Sequence, residues 1–187
     1  MYTNPTENPL FIGITYYLSI LTIIGGIAIV VWAITLLVRD KNKFVDAVAR
    51  HATLIGLIAT LSGTLLSLFY SQVLGLVPCE LCWYQRILLY PQVVLFAIAW
   101  WKKEHSVWMY SIWLSILGAG IALYHHALQM GFDIYKPCST APFATDCSKP
   151  EFILFGFVTF PFMSFVMFAT LVLLYFTHKR SPRIEVL

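Results

Sequence analysis

The stretch "VPCELCWYQR", residues 77–86, sets two cysteines three positions apart, with an arginine four beyond the second, at the junction of two long apolar runs. Whether it is a buried turn of a soluble protein or a connection at the edge of a membrane depends on what flanks it. The chain has 187 residues, of which 59% are hydrophobic and only 11% charged, outside the usual range of water-soluble domains. Its charges sit in short clusters ("RDKNK", "KKEH", "HKR") between apolar runs of about 20 residues, the length a helix needs to cross hydrocarbon. The stretch is therefore a connection between membrane spans. The fold class is all-α integral membrane.

Five spans can be marked outward from it. The one before runs from about Phe44 to Leu76, with its firmest apolar part between Leu54 and Leu74 and an amphipathic start, "FVDAVARH", suited to the interface. The one after runs from Trp83 to Trp101, so Cys82 is expected just ahead of a helix. Two more cover Val107 to Leu128 and Phe152 to Thr177, and a first segment, Leu10 to Val38, precedes them all. That first segment has no basic leader and no small-residue cleavage site, so a retained helix is expected rather than a signal peptide. The expected domain organisation is an extra N-terminal helix with a basic loop (1–43), a four-helix bundle (44–177) and a tail (178–187).

Lys and Arg sort strongly across these spans. Arg39, Lys41, Lys43, Arg50, Lys102, Lys103, Lys179, Arg180 and Arg183 fall on one side, nine of the chain's 12 basic residues, whereas Lys136 and Lys149 fall on the other. The positive-inside rule places the first group in the cytoplasm and the N-terminus outside. The net charge of +3 is spread over span flanks rather than along one stripe, which argues against nucleic-acid binding. All four cysteines, Cys79, Cys82, Cys138 and Cys147, then lie in two connections on the outer face.

Paired cysteines on an oxidising side are read first as disulfides, and four allow three pairings that the sequence does not choose between. A CxxC closes too small a ring to stabilise a fold much, so it makes a poor staple and a good redox couple. A helix N-terminus and Arg86, one turn further on, both favour a thiolate at Cys82. An arginine at the edge of hydrocarbon needs a polar or anionic partner, either lipid phosphate or something held at the dithiol. The second pair, "CSTAPFATDC", has eight intervening residues in a polar, Pro-containing loop, where a disulfide is open to attack by an incoming thiolate. The two pairs do not have zinc-knuckle spacing, and the outer histidines, His125 and His126, have no evident opposite number for a haem, so no resident metal is expected.

"PCELCWYQR" opening a helix, "YHHALQ" near the end of the next span and then "CSTAPFATDC" together resemble the DsbB family of membrane disulfide-forming enzymes, including its shorter BdbC-like branch. The order of parts makes the resemblance specific. Proteins of the vitamin K epoxide reductase type place the CxxC after the loop pair, the reverse of what stands here. The resemblance implies a bacterial cytoplasmic-membrane protein that reoxidises a soluble thioredoxin-fold (DsbA-like) thiol oxidase and passes two electrons to ubiquinone or menaquinone. By position, it implies that Cys138 is attacked by the partner, that Cys147 attacks Cys79, and that Cys82 faces the quinone with Arg86 and His126. Three features depart from the family pattern: the extra first span, the short separation of Cys138 and Cys147, and Gln85 where some members carry glutamate. The competing function is a non-catalytic membrane interaction protein whose cysteines are permanent staples.

Overall fold

The computed structural model describes residues 6, 8–38, 43–104, 106–132 and 146–180. Five long helices account for most of them: α1 (Pro9–Val38), α2 (Lys43–Leu68), α3 (Glu80–Lys102), α4 (Val107–Gln129) and α5 (Phe160–Arg180). All five are long and apolar enough to cross a membrane. The shortest has 21 residues, about 32 Å at 1.5 Å per residue, against about 30 Å of hydrocarbon. Helices α2 to α5 form a four-helix bundle in which α4 packs on α5, α2 on α3, α3 on α4 and α2 on α5, while α1 lies on the flank against α5. The architecture is the all-α membrane bundle with one added helix that the sequence predicts.

Two boundaries differ from the sequence reading. Helix α3 begins at Glu80 with Cys79 as its N-cap, so Cys82 sits inside the first turn instead of ahead of the helix. The fifth helix starts at Phe160, not near Phe152. Residues 152–159 instead form an irregular turn with a bridge between Leu154 and Val158 and with Phe155 and Gly156 both at positive φ. Apolar content alone cannot separate such a turn from a helix. The left-handed backbone at Gly156 breaks the helix, and Pro161 suits a first turn, where its missing N–H costs nothing.

Packing in hydrocarbon relies on close approach and buried polar pairing, because lipid offers no hydrophobic penalty for exposed apolar faces. One side of α4, made of Ser111, Ser115, Gly118, Ala122 and His125, is buried and small-featured except at its end. Gln92 of α3 is fully buried; its carbonyl oxygen accepts from Ser111 Oγ at 2.7 Å and Ser115 Oγ at 3.2 Å, and its amide donates to Leu88 O at 3.0 Å. This network fixes the register of α3 on α4. Phe168 of α5 fills the space beside Gly118, where an added Cβ would come within 2.5 Å of the ring. Gly118→Ala should therefore destabilise the bundle by about 1–3 kcal/mol through overpacking. A Cβ at Gly120 meets nothing within 4 Å, so Gly120→Ala is the control, and equal melting temperatures for the two variants in detergent would refute the close contact.

Candidate functional site

The connection from α2 to α3 is short and positions its cysteines tightly. Past Leu68 the α2 helix widens into a π turn, Phe69–Val73, a distortion frequent at functional sites. Gly75, at φ 75°, then turns the chain towards Pro78 and Cys79. Cys79 adopts extended backbone angles and caps α3, with its carbonyl accepting the first helical bond from Trp83 N at 3.1 Å. Cys79 is buried, Cys82 is half-buried, and their sulfurs are 3.4 Å apart as free thiols.

Cys147 is buried against the same cluster, which contains Cys79, Leu81 and Leu128 with Cys82 at its side. It is disulfide-bonded. Cys138 lies outside the described residues.

His125 joins the two cysteine centres. Its Nε2 is 3.6 Å from Cys79 Sγ and 3.2 Å from the Cys147 carbonyl oxygen. On the ring's other side the Gln85 amide nitrogen stands 3.1 Å from Nδ1. A second amide nitrogen, that of Gln129, stands 3.3 Å from Nε2, so the ring is held between two glutamine side chains. The Cys82 thiol holds the Cys79 thiol far below its ordinary range, at about 4, against the opposing effect of burial and with help from the His125 hydrogen bond. The helix N-terminus favours the same thiolate.

Arg86 lies one turn below Cys82. Its Nη2 donates to the Ser67 carbonyl at 3.2 Å, where α2 is about to enter its π turn, and its guanidinium lies 5.3 Å from the centre of the Trp83 ring. A cavity of about 460 Å³ opens beside these groups, within the range of small-molecule sites. Cys79, Cys82, Cys147, Gln85, Arg86 and His125 border it together with Gln129, Asp146, Lys149 and Glu151, and mostly apolar residues of α1, α2 and α5 border the rest, with Thr22, Ser62, Ser164 and Thr170 among them.

Of the residues singled out from sequence, Cys79, Cys82, Cys147 and Arg86 thus meet at one cavity. His126 is placed elsewhere: its Nδ1 pairs with Thr159 Oγ1 at 3.0 Å, and its ring packs 5.2 Å from that of Phe162. The histidine that borders the cavity is His125. The signal that distinguishes them is present in α4, because counting back from 125 by threes and fours reaches the small residues at 122, 118, 115 and 111, the face turned into the bundle. Gln85 as a donor to His125 had no such signal. The Cys79, Cys82 and His125 ligand atoms lie within 4.8 Å of one another. Reduced, that trio has the composition of a thiophilic metal site, and forming the Cys79–Cys82 disulfide would remove two of its three donors.

Residues 49–178 match the family model "Disulfide bond formation protein DsbB". The chain belongs to the DsbB family. It is similar to disulfide bond formation protein C of Bacillus subtilis, with 36% identity over 71% of this chain and 91% of that protein. It also resembles the SPbeta prophage-derived disulfide bond formation protein B of the same species, at 41% identity over 57% of this chain and 71% of the other. A third relative is the probable disulfide formation protein C of Halalkalibacterium halodurans, at 38% identity over 59% of this chain and 80% of that one. No solved structure gives a significant match. The DsbB match takes in α3, α4 and most of α2 and α5, together with all four cysteines, and leaves α1 outside it. Family and fold make this chain a multi-pass membrane protein of disulfide bond formation.

The depressed Cys79 value gives a pH prediction. A free thiol titrates near about 8.5 and is almost wholly protonated at about pH 6. In the reduced protein the thiolate absorbance near 240 nm that is lost on Cys79→Ser should still be present at that pH and fade only towards about 4. A difference spectrum that titrates near the free-thiol value would refute the assignment.

Proposed function

We propose that this DsbB-family chain is a thiol–quinone oxidoreductase of the bacterial cytoplasmic membrane. It reoxidises a soluble thioredoxin-fold thiol oxidase on the outer face and delivers two electrons to a membrane quinone. The observation that carries this reading is the meeting of Cys79, Cys82 and Cys147 at one cavity whose walls along α1, α2 and α5 are mostly apolar. The orientation follows from the Lys and Arg bias, with both cysteine connections outside.

The residues present fit a quinone. Arg86 supplies a fixed charge and directed N–H donors near Cys82, the cavity has room for a ring and part of a tail, and Leu66 and Leu89 give it apolar borders. When bound, a quinone supplies a two-electron acceptor strong enough to sit behind a partner disulfide of about −120 mV.

The protein's own chemistry is thiol–disulfide exchange. A thiolate of the partner attacks Cys138 in a Cys138–Cys147 disulfide, forming a mixed disulfide and releasing Cys147 as a thiolate. The partner's second thiolate then frees Cys138, so the partner leaves oxidised and the loop pair holds its two electrons. With the CxxC oxidised, Cys147 attacks Cys79, the Cys79–Cys82 bond breaks and Cys82 departs as a thiolate next to Arg86. Attack of Cys138 on Cys147 restores the loop disulfide and leaves Cys79 reduced, with two electrons now on the CxxC. His125 assists at the centre of this exchange, where its Nε2 lies against Cys79 Sγ and the Cys147 carbonyl oxygen. Burial of Cys79 and Cys147 keeps competing thiols away.

Two measurements test this reading. Purified protein, quinone and a reduced thioredoxin-fold oxidase are mixed and quinone absorbance is followed; Cys82→Ser and Cys138→Ser should each show no turnover above background. Full activity in either variant would end the proposal. In the same assay Arg86→Ala should raise the quinone KM about tenfold or more, the size expected for a charge-assisted hydrogen bond, and leave the partner KM within about twofold. Equal effects on both KM values would show that Arg86 does not act at the quinone.

A further inference from the structure

Helix α1 lies outside the residues matched by the family, and its contacts are unevenly distributed. Its outer end is fastened. Phe11 is buried in an aromatic group with Tyr70 and Phe160, with ring centres 5.8 and 6.5 Å away, and Thr15 Oγ1 shares a 2.9 Å hydrogen bond with Tyr70 OH. The opposite end is fastened too, where the Leu36 carbonyl accepts from Arg180 of α5. Between Ser19 and Leu36 no residue of α1 is buried. Midway, the only close approach recorded at its glycines is at Gly25 and Gly26, where a Cβ would lie 3.8 and 3.9 Å from Val166.

The part of α1 just past its first anchor faces the cavity. Leu18, Leu21 and Thr22 border it from α1, opposite Gly63 of α2 and Met163 and Met167 of α5. The Thr22 hydroxyl is satisfied within its own helix by the Leu18 carbonyl at 2.8 Å, so it asks no polar partner of a ligand. The cavity extends along α5 from Phe160 to Thr170, ten residues or about 15 Å of helix axis. A quinone ring held near Cys82 and Arg86 would use only the upper part. What remains is a mostly apolar slot running down the membrane, bordered on one side by α1, whose Leu21 is still 62% exposed.

We propose that α1 is the outer wall of a subsite for the isoprenoid tail of the quinone, with Leu18, Leu21 and Thr22 as its contact residues. This inference rests on the quinone reading above and adds to it the part of the substrate that the dithiol end does not touch. Helices α2 and α5 by themselves would leave the slot open to lipid, where a tail gains nothing over its place in the bilayer. With α1 fastened at both ends, the slot has a fixed width. Tail length and shape then contribute to kcat/KM, and α1 gives this chain a means of choosing among quinones with the same ring.

The test uses the full chain in detergent, a reduced thioredoxin-fold oxidase, and quinones sharing one ring but bearing one to four isoprene units. Wild-type kcat/KM should rise with tail length by about tenfold or more across the series, the discrimination available to an apolar pocket. Leu21→Trp, which fills the slot, and Leu21→Ala, which widens it, should both flatten that dependence. Leu37→Trp on an exposed part of the same helix should keep it. If either Leu21 variant folds, as judged by its melting temperature, and retains the wild-type length dependence, the tail subsite is refuted. A wild-type series with no length dependence refutes it as well. Failure of the wild-type protein to reduce any quinone would instead overturn the quinone reading itself.

Discussion

The register between α3 and α4 is held by polar groups that have no water to turn to. Gln92 sits fully buried between the helices and is satisfied only where Ser111 and Ser115 stand opposite it. Two turns towards the cysteine end, Gln85 meets His125 across the same seam. In hydrocarbon an unpaired amide costs several kcal/mol, so sliding one helix past the other is strongly opposed. Because α3 begins at Cys79, this constraint also fixes where the dithiol stands relative to α4.

The chemistry follows from that alignment. His125 reaches Cys79 and the Cys147 carbonyl with one nitrogen while Gln85 holds the other. The π turn of α2 belongs to the same design, since the carbonyl of Ser67 just ahead of it receives Arg86 and keeps the guanidinium at the cavity.

Much of this was legible before any coordinates. The five spans and the place of Arg86 one turn below Cys82 follow from hydropathy and helical spacing. The exceptions have physical causes. The segment from Phe152 to Thr159 is as apolar as a helix, and only Gly156 and Pro161 mark it as a turn before α5. Helical rotation, not residue type, turns His125 inwards and His126 towards Thr159. The thiol with the lowered pKa is Cys79, because its sulfur is hydrogen-bonded with the Cys82 thiol and faces His125.

The sequence by itself determined what is local or periodic: the solvent the chain folds in, the number of spans and the DsbB-type order of cysteines. Hydrophobicity and charge bias act residue by residue, so they survive without a fold. Tertiary structure decided what depends on pairs distant along the chain. It brought Cys147 to Cys79, selected His125 over its neighbour, gave Gln85 a role and made α1 a wall of the cavity. Those outcomes depend on how helices rotate and slide against one another, which is settled only when every buried polar group and every close-packed glycine finds its counterpart at once.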